Sequence, residues 1–314
     1  MALVVLAVSI LLIGCVRGVA PLPTAPVPQA PVPPKVPAGP SEAPAPPKAP
    51  AAPEAASEPR PSQAQLPPAD PVGAVPGATP RRVPVLMYHE VGDGRNELWV
   101  SEKSFETQLS FLKEHGYQSL TLRQLQDGLA GQAPLPPRPV VLTFDDGYIS
   151  HYRTVFPLLR KYGFSGVFFV YTDGVGRAGN VTWDQLREMQ RGGMEIESHT
   201  VRHVDLAAAS QRPDRLWDEL SESRSTLQAE LGVPVEYLCY PAGRFNDKVL
   251  QAARKAGYAA AFTTRPGWTD SAQDPMQWRR VRVNRSDTMS GFAAKVGAPA
   301  GGGAPEKAAG GGQS

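Results

Sequence analysis

The sequence has little cysteine and no excess of charge of either sign. Its 314 residues include two cysteines and five histidines, and 32 lysines and arginines face 30 aspartates and glutamates for a formal net charge of +2. Two cysteines cannot form a disulfide framework, so the core must form by hydrophobic burial. A nearly balanced charge argues against a nucleic-acid-binding protein and against a strongly cationic protein of membrane surfaces. We therefore expect no nucleic-acid partner.

Aromatic residues are absent from a long stretch near the N-terminus. Residues 21–80 contain 21 prolines and no Phe, Trp or Tyr, and such a composition cannot bury enough apolar surface to offset the entropy of ordering. Residues 298–314 are rich in Ala and Gly and are equally poor in core-forming side chains. The sequence predicts one folded domain over residues 81–297, between a disordered Pro/Ala-rich linker over residues 15–80 and a disordered C-terminal tail.

The chain begins with an apolar run that is too short to be a spanning helix. The run ends in Leu12-Ile13-Gly14-Cys15, which resembles a bacterial lipobox. The resemblance implies a signal peptide over residues 1–14 and a lipid on Cys15, although no Lys or Arg precedes the run. An ordinary secretory signal with an incidental cysteine is the alternative. We expect a lipid-anchored protein of the cell envelope, on the outer membrane facing the periplasm.

Apolar runs alternate with helical patterns across the predicted domain. The apolar runs are largely continuous rather than cleanly alternating, which is typical of a sheet buried on both faces. Helices are predicted to begin after Ser101, Thr182 and Asn246, and a longer one ends at Gly232. This alternation predicts an α/β fold with a parallel sheet or barrel, whose chemistry gathers at the carboxyl ends of the strands. The predicted strands are 83–88, 139–144, 165–171, 193–198, 235–240, 259–264 and 279–284.

Two adjacent carboxylates follow the second of these strands. Asp145 and Asp146 lie in the segment Thr-Phe-Asp-Asp-Gly, and two ionised carboxylates in a partly closed site repel each other unless a cation is present. Because adjacent side chains point in different directions, one could bind a metal while the other faces a water on that metal. A simple Asp-Gly turn is the alternative.

Two histidines at ligand spacing follow the predicted strand 193–198. His199 and His203 are four residues apart, a spacing that predicts two imidazoles on one helical face, where they can hold one metal as in zinc enzymes. With Asp146 they would form a set of two histidines and one carboxylate that leaves positions open, as catalytic metal sites do. Two unrelated polar side chains are the alternative.

Together these two motifs resemble the first two motifs of the polysaccharide deacetylases, carbohydrate esterase family 4 with its NodB-homology domain. The resemblance covers residues 83–292 and implies a distorted (β/α) barrel. It also implies that Asp145 is the general base and that Asp146, His199 and His203 bind a divalent metal. The expected metal is Zn²⁺, with Ni²⁺ or Co²⁺ as alternatives.

The third motif departs from the family pattern. The family usually has Arg-x-Pro-Tyr, whereas this chain has Cys239-Tyr240-Pro241 and lacks the arginine. A backbone amide near Ala242 could still serve as the oxyanion donor, since that role needs no particular side chain. Arg280 could supply the charge that the third motif has lost.

The family's C-terminal histidine, its general acid, is also missing, because no histidine follows His203. The segment Tyr88-His89 resembles instead the branch that deacetylates poly-β-1,6-N-acetylglucosamine, in which an early histidine takes the place of that acid. We therefore expect His89 to be catalytic, with a backbone-satisfied histidine at a strand end as the alternative. The remaining histidines, His115 and His151, are interpreted as solvated surface residues.

The resemblance implies a metal-dependent hydrolase that removes acetyl groups from N-acetylglucosamine units of an extracellular polysaccharide. Poly-β-1,6-N-acetylglucosamine is the expected polymer, and Tyr148 is expected to stack on a sugar ring. Peptidoglycan, chitin oligomers and acetyl-xylan are alternative substrates. A lipid-anchored pseudoenzyme that only binds polysaccharide is a further alternative, but a binding protein would not need the two aspartates and two histidines.

Overall fold

The computed structural model describes residues 81–298. The predicted signal peptide, Cys15, the linker and the tail beyond residue 298 lie outside these residues, so the inferences about them stay predictions. Within the described part of the chain, no helix has both the length and the apolar character needed to cross a bilayer.

The seven predicted strands form a closed parallel barrel within residues 81–298. Neighbouring strands pair in the order β1-β7-β6-β5-β4-β3-β2, and β2 pairs with β1 to close the ring. This arrangement confirms the (β/α) barrel that the sequence predicted. The strands are β1 (Val85–Tyr88), β2 (Pro139–Asp145), β3 (Val167–Val170), β4 (Glu195–Ser198), β5 (Tyr237–Cys239), β6 (Ala260–Pro266) and β7 (Trp278–Arg282).

The helices lie in the connections between the strands. Ser101, Thr182 and Asn246 each accept a backbone N–H in the first turn of a helix, as their positions predicted. Four helices were not predicted, namely α2, α3, α5 and α8 below. The helices are α1 (Glu102–Glu114), α2 (Leu122–Ala130), α3 (Phe156–Tyr162), α4 (Trp183–Arg191), α5 (Leu206–Ala209), α6 (Pro213–Leu231), α7 (Asp247–Lys255) and α8 (Met289–Lys295).

Shorter elements complete the described chain. Arg82–Val83 pairs antiparallel with Thr269–Asp270, and Glu90–Val91 pairs with Trp99–Val100. Gln118–Ser119 extends the sheet beside β2. A π-helical turn covers His151–Val155, and 3₁₀ turns cover Thr172–Gly174, Pro241–Gly243 and Pro275–Gln277.

Alternation along β2 directs the site residues into the barrel. Leu142 and Phe144 belong to the core beneath the helices, so the intervening Thr143 and Asp145 point to the opposite face. Both of these inner side chains bond to Arg280 of β7. A hydrophobic layer that includes Phe169 and Phe262 fills the interior below them. The polar residues thus lie at the carboxyl end of a packed barrel.

A partly buried carboxylate inside the barrel makes the stability of the fold depend on pH. Glu195 of β4 accepts the Leu122 N–H at the start of α2 at 3.0 Å. Burial raises the pKa of Glu195 to about 7, against about 4.3 in an unfolded chain. The folded state therefore binds the proton more tightly. The stability contributed by this group is complete below about pH 4 and is lost as the pH rises through 7.

We expect Glu195→Gln, which keeps an acceptor for Leu122 without the charge, to gain stability relative to the wild type as the pH rises. The gain in free energy of unfolding between pH 4 and pH 8 should reach about 1–3 kcal/mol. Urea titrations of both proteins at the two pH values measure it. A difference between the two proteins that does not change with pH would contradict the raised pKa.

Candidate active site

Asp145 ends β2 in a buried, charge-paired position. Its carboxylate forms a bidentate salt bridge with Arg280 of β7, which donates from Nη1 to Oδ1 and from Nη2 to Oδ2, each at 2.7 Å. Arg280 is itself fully buried, and its Nε donates to the Thr263 carbonyl at 3.1 Å. Such a bidentate pair fixes both the position and the orientation of the carboxylate. Arg280 therefore lies beside Asp145, where the missing third-motif arginine would have been expected to act.

The surroundings of Asp145 keep its carboxylate ionised. Burial alone would raise the pKa of Asp145, but the charge and hydrogen bonds of Arg280 outweigh it and lower the pKa to about 2. Cys239 lies next to this ion pair, and its Sγ accepts from Arg280 Nη2 at 3.0 Å. Burial raises the pKa of the Cys239 thiol well above its usual value, so the thiol stays neutral. A small neutral side chain on β5 thus leaves the room that the Arg280 guanidinium occupies.

The three predicted metal ligands converge on one point. Asp146 Oδ1 lies 3.2 Å from His199 Nε2 and 3.1 Å from His203 Nε2, and the donor atoms of all three residues lie within 4.8 Å of one another. His199 Nδ1 is 2.7 Å from the Cys239 carbonyl oxygen, which can only accept. The proton of His199 is therefore on Nδ1, and Nε2 is free to bind a metal. Two imidazole nitrogens and a carboxylate oxygen fit a divalent ion such as Zn²⁺.

Backbone strain within residues 81–298 is concentrated at this site. The non-glycine residues with positive φ are Asp146 (79°), Thr200 (72°), His203 (55°) and Ala242 (52°). A left-handed conformation is unfavourable for a residue with a Cβ, and it persists only where the surroundings fix it. All four lie in segments that the sequence analysis assigned to the site, and strain of this kind clusters at functional sites.

His89 lies at the same rim, directly after β1. It is partly buried, and its Nδ1 has no hydrogen-bond partner among the described residues. Burial lowers the pKa of His89, while the charges of Asp145 and Asp146 act in the opposite direction. A buried imidazole nitrogen without a partner is unusual, and here it stands close to two carboxylates at a strand end.

The interpretation of His151 and His115 as solvated surface residues was wrong. His151 is fully buried and His115 is 9% exposed. His151 Nε2 donates to the His89 carbonyl oxygen at 2.6 Å, so it fixes the backbone of the predicted catalytic histidine. His115 instead stacks on Phe111, away from the rim. Each histidine lies at helical spacing from a buried apolar residue, His115 from Leu112 and His151 from Val155, and this pattern was the signal that could have indicated their burial.

Tyr148 and Ala242, the residues predicted to contact the substrate, also lie near the metal ligands in sequence or in space. Tyr148 is partly buried, and burial and the neighbouring Asp146 raise its pKa. Its ring meets His151 edge-on, with the ring centroids 5.8 Å apart. Ala242 is exposed in the 3₁₀ turn after β5, the strand whose Cys239 carbonyl holds His199.

Sequence reasoning missed Tyr171 and Asn180. The ring centroid of Tyr171 lies 5.8 Å from that of His203, and Asn180 donates to the Tyr171 hydroxyl at 3.1 Å. Asn180 Nδ2 is also 3.5 Å from the Asp146 carbonyl oxygen. Tyr171 comes directly after β3, so its place at a strand's carboxyl end was the available signal. Asn180 carries no such signal, because it reaches the rim through a loop.

Comparison with known proteins identifies relatives of this chain. Residues 132–261 match the family described as polysaccharide deacetylase. The protein of Bacillus subtilis (strain 168) named "Putative polysaccharide deacetylase YxkH" is 34% identical over 69% of this chain and 77% of its own length. The poly-beta-1,6-N-acetyl-D-glucosamine N-deacetylase of Escherichia coli (strain K12) is 25% identical over 67% of this chain, but this chain spans only 38% of that enzyme.

Solved structures have the same barrel. The Streptococcus pyogenes deacetylase PplD, determined in complex with acetate, superposes with a TM-score of 0.66 and 30% identity, over 69% of this chain and 99% of that one. IcaB from Ammonifex degensii superposes with a TM-score of 0.63 and 29% identity, over 68% of this chain and 97% of that one. The similarity therefore extends over nearly the whole described domain.

Proposed function

This chain belongs to the polysaccharide deacetylase family, and from that premise we propose that it is a metal-dependent N-deacetylase acting on N-acetylglucosamine units of an extracellular polysaccharide. The observation that carries the proposal is the convergence of Asp146 Oδ1, His199 Nε2 and His203 Nε2 next to an ionised Asp145. A non-catalytic binding protein would have no use for a carboxylate held in this way beside a ligand set. The pseudoenzyme alternative is therefore the weaker one.

Asp146, His199 and His203 would hold the metal. When bound, a divalent ion supplies Lewis-acid polarisation and lowers the pKa of water in the site. Asp145 accepts the proton of the attacking water as general base. Its pair with Arg280 keeps it ionised and fixes the orientation of its carboxylate.

The remaining groups act on the acetamide of the substrate. The backbone amide near Ala242 donates to the oxygen that becomes negative when water adds to the carbonyl carbon. His89 gives a proton to the nitrogen as the C–N bond breaks, so that the products are acetate and a free glucosamine unit. Tyr148 offers an aromatic face for a sugar ring beside the ligands.

Poly-β-1,6-N-acetylglucosamine is the polymer that we propose. Its support is that relatives in Escherichia coli and Staphylococcus aureus, 25% and 28% identical, are named as deacetylases of that polymer, together with the position of His89 after β1. Acetate release by the metal-loaded protein from β-1,6-linked N-acetylglucosamine oligomers tests the assignment, beside chitin oligomers, peptidoglycan and acetyl-xylan. Preferred release from the β-1,6-linked oligomers is expected. Preferred acetate release from another polymer would identify that polymer as the substrate in place of the β-1,6-linked one. If the metal-saturated protein releases acetate from none of the four, the pseudoenzyme alternative would be favoured.

His89→Ala is expected to lower turnover by about 10²–10⁴-fold, because the departing amine would lose its proton donor. Metal affinity should stay within about threefold of the wild type, since His89 is outside the ligand set. Single-turnover acetate release and a zinc titration measure the two quantities. His115→Ala is the matched control, because this histidine packs on Phe111 away from the rim. Unchanged turnover in His89→Ala would show that another group protonates the amine.

A further inference from the structure

The segment between the two histidine ligands follows a strained backbone path. Thr200 and His203 both have positive φ, at 72° and 55°, which non-glycine residues adopt only where surrounding groups fix them. The segment leaves β4 at His199, and the imidazole of His203 must return to face Asp146. The position of His203 therefore depends on whatever holds the residues in between.

A carboxylate from outside the segment binds the middle of this turn. Glu219 of α6 accepts two successive backbone N–H groups on Oε2, from Val201 at 3.1 Å and from Arg202 at 2.9 Å. Its Oε1 accepts from Arg202 Nη1 at 2.8 Å. The Glu219 side chain is fully buried, whereas that of Arg202 is 44% exposed. A buried carboxylate is stable only when its oxygens are bonded in this way.

The other N–H groups of the turn bond to side chains within the same stretch of chain. Ser198 Oγ accepts the Thr200 N–H at 3.2 Å, and Thr200 Oγ1 accepts the His203 N–H at 3.1 Å. The Thr200 and Val201 carbonyls accept from the Thr172 and Asp173 N–H groups. Within residues 81–298, Glu219 is the acceptor that ties the Val201 and Arg202 N–H groups to another element. It connects the ligand-bearing turn to the long helix α6.

We propose that Glu219 is a positioning residue for the metal site. By binding the Val201 and Arg202 amides it fixes the turn that places His203 Nε2 opposite Asp146 and His199. The inference deepens the proposed function and rests on the metal site described there. Groups that orient metal ligands from behind typically contribute 10- to 100-fold to metal affinity.

Zinc affinity of the full chain, measured by competition with a chromophoric chelator, tests the proposal. Glu219→Gln keeps one carbonyl oxygen for the amides but turns an amide NH₂ toward the Arg202 guanidinium, so that donor faces donor. We expect it to weaken zinc binding by about 10- to 100-fold. We also expect it to alter the visible absorption bands of the Co²⁺-loaded protein, which report the geometry of the ligands.

Recovery of zinc affinity in a second variant distinguishes a positioning role of Glu219 from a general loss of stability. In the double variant Glu219→Gln with Arg202→Met, the facing donor is gone and the glutamine can accept both amides, so most of the lost zinc affinity should return. Glu197→Gln is the matched control. Glu197 is also buried, and its Oε2 also accepts two successive backbone N–H groups, from Glu236 and Tyr237, but it does not bind the turn. Its zinc affinity should stay within about threefold of the wild type.

The possible results distinguish the positioning role of Glu219 from the metal site itself. Wild-type zinc affinity in Glu219→Gln would overturn the positioning role and leave the proposed function standing. An equal loss in Glu197→Gln, or no recovery in the double variant, would overturn it too, because the effect would then be general loosening of the fold. A wild-type chain that binds no zinc would overturn the metal site itself, and the positioning role with it.

Discussion

Asp145→Asn is expected to lower acetate release by about 10²–10⁴-fold while zinc still binds. An amide cannot accept the proton of the attacking water, and Asp145 lies outside the Asp146–His199–His203 set. Measuring turnover and zinc stoichiometry on the same sample separates the two effects. Turnover at the wild-type rate would contradict the assignment of Asp145 as general base.

The Arg280 pair makes a control for folding necessary. Removing the charge of Asp145 leaves a buried guanidinium without its counter-charge, which typically costs about 3–5 kcal/mol of stability. Zinc binding by the variant, followed by the Co²⁺ absorption bands, shows that the site has kept its shape. Asp274→Asn removes an arginine-paired carboxylate at the surface, since Asp274 pairs with the 49% exposed Arg254 at 2.7 Å, and it serves as the control for the same substitution outside the site. It should keep wild-type turnover.

His199→Ala is expected to lose both zinc binding and turnover. His199 presents Nε2 to the ligand set and anchors Nδ1 on the Cys239 carbonyl, so its removal takes away one ligand and the contact that orients it. Zinc affinity should fall by more than about 100-fold, since a direct metal ligand contributes more to the affinity than the groups that hydrogen-bond to the ligands. Chelator competition measures the affinity, and His115→Ala is the control. Zinc affinity retained in His199→Ala would place the metal elsewhere.

Local sequence patterns predicted the barrel well because they reflect burial on both faces. Strands β1, β2, β3 and β5 are largely apolar, whereas β4 (Glu-Ile-Glu-Ser) and β7 (Trp-Arg-Arg-Val-Arg) carry charged side chains. Each predicted run nevertheless overlaps its strand. The caps at Ser101, Thr182 and Asn246 also predicted helix starts, because a side chain that satisfies a free N–H acts locally. The spacing of His199 and His203 indicated two side chains that converge with Asp146, but the predicted helical face was wrong. Residues 199–203 form an irregular turn in which Thr200 and His203 have positive φ.

Features created by tertiary contact could not be predicted in this way. Helices α5 and α8 are only 4 and 7 residues long, so neither presents enough turns for a clear apolar period. Helix α3 continues from a π-helical turn, which no simple periodicity describes. His151 lies in that π-helical turn and is buried because its ring packs against Phe144 and Phe168 of the barrel strands.

In the candidate site, too, local features could be predicted from the sequence and tertiary contacts could not. The strand-end positions of Asp145 and Asp146 follow from the local pattern, but the ion pair between Arg280 and Asp145 depends on the barrel order, in which β7 and β2 flank β1. Sequence could suggest Arg280 only as a replacement for a missing charge. Glu219 was not suggested at all, because a glutamate on an amphipathic helix is usually solvated, and its burial became visible only with α6 packed against the turn.

We propose that deacetylation requires a metal held by Asp146, His199 and His203. Acetate release from β-1,6-linked N-acetylglucosamine oligomers, measured before chelator treatment, after it, and after stepwise return of Zn²⁺, tests this requirement. We expect release to be lost on metal removal and to return in proportion to zinc, with saturation at one ion per chain. Release that continues unchanged in the metal-free protein would contradict it.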